Sequence, residues 1–192
     1  SARLSTLWLF GGGCAMGLGI WSMHFIGMLA FRLPIPLGYD LGWTAVSLLA
    51  AMASSIFALW LVSRPTLPHS RLALGALLMG SGIASMHYLG MAAMRMQPGI
   101  DYHPGWFAAS IAVAIAAAGA ALWIAFRLRV EQRNTVRLRI LASLVMGLAI
   151  VGMHYTGMAA ARFPDGSICG AVIDGGIDSR WLAVLVIVTT LG

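Results

Sequence analysis

The sequence predicts an all-α membrane protein, a bundle of transmembrane helices assembled from three two-helix repeats. Three observations predict it: a composition too apolar for a water-facing surface, six apolar segments, and a helix motif that recurs three times.

Composition comes first. Of 192 residues, 60% are hydrophobic and 9% charged, and the mean hydropathy is +0.88. A soluble domain carries roughly 25% charged residues, so this chain lacks the polar surface to cover itself in water. That excludes a soluble enzyme, a disordered tail and an ordinary nucleic-acid binder. The +6 charge arises from twelve Arg and no Lys against six acids. Cys14 and Cys169 offer neither zinc spacing nor a redox pair. The chain reads as a single domain, 1–192, truncated at both ends. It starts at Ser1 rather than Met, and its last apolar run reaches only about twelve residues where a span needs roughly 20.

The apolar segments are Leu4–Phe31, Leu41–Val62, Leu72–Met96, Trp106–Phe126, Ile140–Ala161 and the short Trp181–Leu191. Each of the first five can cross about 30 Å of hydrocarbon at 1.5 Å per residue. Pro and Gly mark the connections, from Pro34 and Pro36 to the stretch from Pro164 to Gly176. Arg3, Arg64, Arg71, Arg127, Arg129, Arg133, Arg137 and Arg139 lie on one side of this pattern. Arg32, Arg95, Arg162 and Arg180 lie on the other. The positive-inside rule therefore places Ser1 in the cytoplasm and sends the first, third and fifth segments outward.

Those three outward segments superimpose without a gap. They read MGLGIWSMHFIGMLAFRLP from Met16, MGSGIASMHYLGMAAMRMQP from Met79 and MGLAIVGMHYTGMAAARFP from Met146, with starts 63 and 67 residues apart. Each copy holds Met-Gly, then Met-His-aromatic, then Gly-Met, then an Arg eight residues after the His. The positions between drift among Leu, Ala, Ser, Trp and Val. The chain is an internal triplication, each unit being one motif helix and one plain helix.

The repeated motif, spelled in full at Met153-His154-Tyr155-Thr156, resembles that of the MHYT domain family, bacterial integral membrane sensor modules. The second copy departs at Leu89, the first at Phe25 and Ile26. The resemblance implies seven helices in a full domain, against six segments seen here, the missing one preceding Ser1. It implies the bacterial inner membrane and a cytoplasmic output domain such as one for cyclic-di-GMP turnover, which this chain lacks. It also implies copper near the periplasmic face and sensing of oxygen, carbon monoxide or nitric oxide.

The motif can be weighed as chemistry. On a helix, the Met four residues after a His lies on the same face, one turn further on. The preceding Met lies on an adjoining stripe. His24, His87 and His154 fall at matching depth and could converge on one ion or line a small cluster. Imidazole and thioether suit copper, Met favouring Cu(I), and a desolvated imidazole is neutral, the form a metal needs. The candidate ligands are therefore His24, His87 and His154, then Met28, Met91 and Met158, then Met23, Met86 and Met153. The Gly three residues after each His suits close helix approach. Tyr88 and Tyr155 are candidates to orient the His; Phe25 is not. Arg32, Arg95 and Arg162 read as interfacial anchors.

The leading reading is a copper-binding sensory input domain, partnered by the bilayer, a diatomic ligand, an output domain and, in some arrangements, a second copy of itself. Three others compete. Met at −8, −1 and +4 from each His form a ladder suited to Cu(I) transport. Two His could ligate haem b with outer Arg on its propionates. The His could also simply pack. Neither nucleic acid nor a catalytic role is expected, because no buried carboxylate or nucleophile–base pair can be assembled.

Overall fold

A computed structural model describes residues 2–128 and 135–191. Ser1, Arg129 and Arg133, used in the sidedness argument, lie outside the described residues. The motif helices are α1 (Ala2–Ala30), α3 (His69–Ala92) and α5 (Thr135–Ala160); the plain helices are α2 (Leu41–Val62), α4 (Pro104–Leu128) and α7 (Ser179–Leu191). A single turn, α6 (Gly170–Ile173), lies in the last long loop. Stretches within α1 to α5 are long and apolar enough to cross a membrane; α7 is a shorter apolar helix. The segments read from sequence thus match helices, with ends displaced by a few residues.

The plain helices repeat as well. Trp43, Trp106 and Trp181 each stand three residues after Asp40, His103 and Asp178. Asp40 Oδ1 accepts from the Trp43 amide at 2.9 Å, and Asp178 Oδ1 accepts from the Arg180 and Trp181 amides at 2.9 Å. These carboxylates satisfy amide donors that a helix start leaves open.

In space, α1 packs on α2, α2 on α3, α3 on α4, α4 on α5, and α7 returns to α1. The motif helices also touch one another along the middle. Glycine permits the tightest of these approaches. A Cβ on Gly17 would stand 2.6 Å from Met52 Cα, and one on Gly80 2.5 Å from Ile115 Cα. The third repeat departs from this pattern. Gly147 has nothing within 4 Å and lines a cleft of about 740 Å³ between α1, α4 and α5, together with Met16, Ile20, Met23, Met146 and Ile150.

Large apolar side chains such as Trp8, Leu49, Leu148 and Ile187 face outward, while His24, Ser47, Ser55, His87, Ser110 and His154 are buried. An extensive apolar exterior around an apolar core that holds a few polar side chains fits a lipid surround.

One end of the bundle is closed by loops that the sequence did not disclose as ordered. Among the described residues, six two-residue strands pair antiparallel. β1 (Gly38–Tyr39) pairs with β6 (Ile177–Asp178), β2 (Met96–Gln97) with β5 (Ile168–Cys169), and β3 (Asp101–Tyr102) with β4 (Ala161–Arg162). The long third loop thereby stitches the first two together. Arg95 stands at φ 50 where α3 turns into β2. Its guanidinium reaches Asp174 at 2.8 Å and Asp40 at 3.7 Å. It is therefore a tie within the cap rather than a plain interfacial anchor.

Candidate metal centre

The residues that set this site are the matched positions of three parallel helices. Because α1, α3 and α5 end at the same cap and touch along the axis, their His side chains meet. His24 Nδ1 lies 3.1 Å from His154 Nδ1 and 3.1 Å from His87 Nδ1. Ring centroids are 4.9, 5.1 and 5.2 Å apart, with planes inclined at 82°, 75° and 85°. The rings thus form an edge-on triangle, 0%, 0% and 1% exposed. They are the cluster of potential metal ligands found among the described residues, with one ligand atom from each lying within 4.8 Å of the others.

Hydrogen bonding alone does not satisfy this triangle. A neutral imidazole has one N–H and one lone pair. His24 Nδ1 faces two other Nδ1 atoms and can donate to, or accept from, one of them in its ring plane. Nε2 of His24 and of His87 are buried without any partner. Leaving such groups unpaired costs about 1–3 kcal/mol each.

The nine residues singled out from sequence divide clearly. The three His come together. Met28 and Met91, four residues on, are buried; Met158 is partly exposed. Met86 and Met153, preceding the His, are buried, while Met23 is half-buried and borders the cleft. The tyrosine rings pack edge-on against their own His, at 4.8 Å for Tyr88 and 5.2 Å for Tyr155, but the Tyr88 hydroxyl is turned elsewhere. Tyr88 Oη bonds Ser110 Oγ at 2.6 Å, and Tyr155 is 60% exposed. Phe25 occupies the equivalent place in the first repeat and is fully buried, packed edge-on against His24 with centroids 4.8 Å apart.

The motif glycines also behave differently from the expectation of simple helix approach. A Cβ on Gly27 would overlap His154, one on Gly90 would overlap His24, and one on Gly157 would stand 2.5 Å from His87 Nε2. The sequence carried the signal, a Gly always three after the His, but not its partner, because the partner lies on another repeat.

Above the His lies the capped end, where Tyr39, Met94 and Cys169 are buried. The Cys169 thiol donates to Met94 O at 3.1 Å and accepts from the Gly38 amide at 3.3 Å. Burial raises the Tyr39 phenol pKa, with Cys169 adding to the effect. Burial, with Tyr88 nearby, pushes that of Tyr102 up to about 12.

The model of a bacterial signalling protein N-terminal repeat, MHYT, matches residues 17–75, 80–137 and 147–191. The chain is 70% identical over 189 residues to the bifunctional diguanylate cyclase/cyclic di-GMP phosphodiesterase MucR of Pseudomonas aeruginosa, covering 98% of this chain and 27% of that protein. It is 44% identical over 155 residues to the cyclic di-GMP phosphodiesterase NbdA of the same organism, covering 80% and 20%. It is 43% identical over 161 residues to the signaling protein YkoW of Bacillus subtilis, covering 83% and 20%. The chain thus spans about a quarter or less of these relatives. No solved structure matches.

Proposed function

The chain belongs to the MHYT family, and from that premise we propose that it is a membrane-embedded, copper-binding input domain that controls a cytoplasmic output domain. The observation that carries the metal is the convergence of three buried imidazoles through Nδ1. An ion holding nitrogens at about 2.0–2.1 Å in trigonal or tetrahedral geometry spaces them roughly 3.3–3.6 Å apart. The two 3.1 Å contacts, both made by His24, need a slight widening to meet that, while the separation between His87 and His154, within 4.8 Å, would have to settle into the same range. Neutral ligands in a buried apolar setting, with thioethers near in sequence, favour Cu(I). Nitrogens already in contact leave no room for a macrocycle between them, so a bare ion fits better than haem.

His24, His87 and His154 would hold the ion. Met28, Met91 and Met158 are the first candidates to complete the shell, and Met23, Met86 and Met153 the second. Bound copper would supply an open position for a diatomic ligand or a one-electron couple. The protein's share is to tie three helices to one point, so that any change in the spacing of the rings is a change in helix packing. Coupling follows if the output domain favours one of two packings. The names of MucR and NbdA describe turnover of cyclic di-GMP; control of such an output is the role we assign here.

Cu(I) transport remains the second reading, supported by Met16, Met23 and Met146 lining the cleft. Metal analysis of the purified chain decides the centre. Stoichiometric copper is expected. Each single His→Ala change should weaken binding by about 10-fold or more, since a lost ligand should exceed about 1.4 kcal/mol. A well-folded triple His→Ala variant that binds copper with unchanged affinity would refute the proposal. Copper accumulation by sealed vesicles would favour transport.

A further inference from the structure

We infer that Gly27, Gly90 and Gly157 are positioning residues, each setting the imidazole of a different repeat, so that Nδ1 becomes the metal-binding atom. The inference rests on the copper reading and adds to it the ligand atom and the residues that select it.

Three observations meet here. The contacts close into a cycle: His24 of the first repeat lies on Gly90 of the second, His87 on Gly157 of the third, and His154 on Gly27 of the first. In each case the atoms that a Cβ would meet are Nε2, Cδ2 and Cε1 of the ring. Each ring is therefore laid side-on with its Nε2 edge against bare backbone, leaving Nδ1 toward the other two rings.

The second observation separates this from ordinary helix approach. At Gly17 and Gly80 the atoms a Cβ would meet belong to the neighbouring backbone. At Gly27, Gly90 and Gly157 the nearest atoms all belong to an imidazole. These glycines make room for a ring, not for a helix.

The third concerns what else could hold the ring. A metal-bound His is generally fixed by a hydrogen bond from its other nitrogen. Nε2 of His24 and of His87 have no such partner. Shape takes the place of that bond. A methyl group at the Gly would push the ring toward the axis or turn it, and Nδ1 would leave its place.

The test is a set of double variants of the purified chain in lipid nanodiscs, titrated with Cu(I). Gly27→Ala should weaken Cu(I) binding about 10-fold or more. On a His154→Ala background it should cost nothing further, because the ring it displaces is gone. On a His24→Ala background, its own repeat, the loss should persist. The thermal midpoint of the metal-free protein should show the same cycle: lowered by Gly27→Ala, and restored only with His154→Ala. A penalty equal on both His backgrounds would overturn the inference in favour of helix packing. Metallation at Nε2, read by ¹⁵N chemical shifts of labelled His, would overturn the ligand-atom assignment. Wild-type protein that takes up no copper would sink the copper reading, while the metal-free thermal cycle would still decide the role of the glycines.

Discussion

Gly80→Ala and Gly147→Ala should shift stability in opposite directions, although the two glycines hold the same place in their repeats. An Ala Cβ at Gly80 would stand 2.5 Å from Ile115 Cα, 2.7 Å from its N and 2.9 Å from the carbonyl carbon of Ala114. All three are backbone atoms, so no side chain can swing aside. Carbon atoms settle near 3.5–4.0 Å, so α3 and α4 must part by about 1 Å. Forced overpacking of this kind costs about 1–3 kcal/mol. Ala recovers about 0.5–1 kcal/mol over Gly within a helix, leaving a net loss of up to about 2.5 kcal/mol. At Gly147 nothing lies within 4 Å, and only the gain remains. For a chain of this length 1 kcal/mol corresponds to about 2–4 °C. Gly80→Ala should therefore lower the unfolding midpoint by up to about 10 °C, and Gly147→Ala should raise it by about 1–4 °C. Circular dichroism during heating, at fixed detergent and protein concentration, reads both. Shifts of the same sign and size would refute the claim that the third repeat lacks the helix contact present in the second.

Other outcomes follow from the capped end and the His surround. Cys169 lies on the side read from sequence as outer, yet it is only 5% exposed. A membrane-impermeant maleimide should leave it unmodified in the folded protein, while a cysteine placed at the exposed Asp165 should react. Tyr102 ionises more easily unfolded, near pH 10, than folded, near about 12. The stability it contributes is thus complete below pH 10 and is lost as pH climbs toward 12; Tyr102→Phe should flatten that decline in alkaline melts. Phe25→Tyr would bury a hydroxyl where the ring is 0% exposed. It should lower the midpoint by an amount equivalent to about 1–3 kcal/mol while leaving copper affinity unchanged, because the phenol has no part in a site made of imidazole.

The helices were legible because hydrocarbon imposes length and polarity on every span. Leu41–Val62 was read with the bounds α2 has, and α3 extends to His69, beyond the Leu72 at which apolarity begins. The convergence of His24, His87 and His154 was legible too, since equivalent positions of equivalent helices meet near a shared axis. What pairs across repeats was not. β2 meets β5 across some seventy residues through strands of two residues each, too short to leave a periodic pattern. Tyr88 resembled a partner for a His by adjacency, but successive residues on a helix point about 100° apart, and its hydroxyl finds Ser110 instead. The glycines are visible as a spacing, yet nothing in the spacing says that Gly90 lies against His24 of another repeat.

The cap gives the third motif helix a mechanical character. Ala160, the last residue of α5, accepts a hydrogen bond from the His103 amide at 2.8 Å, and the chain passes directly into the β3–β4 pair. Toward its other end α5 leans on α4 but borders the open cleft near Met146 and Gly147. Twenty-six residues make a rod of about 39 Å. Tied to the cap at one tip, a rod of that length that tilted by about 5° would carry its opposite tip roughly 3 Å. The His triangle lies near the capped tip, His154 standing six residues before Ala160, so a tilt about the cap would move the imidazoles only a fraction of the distance it moves the start of the helix.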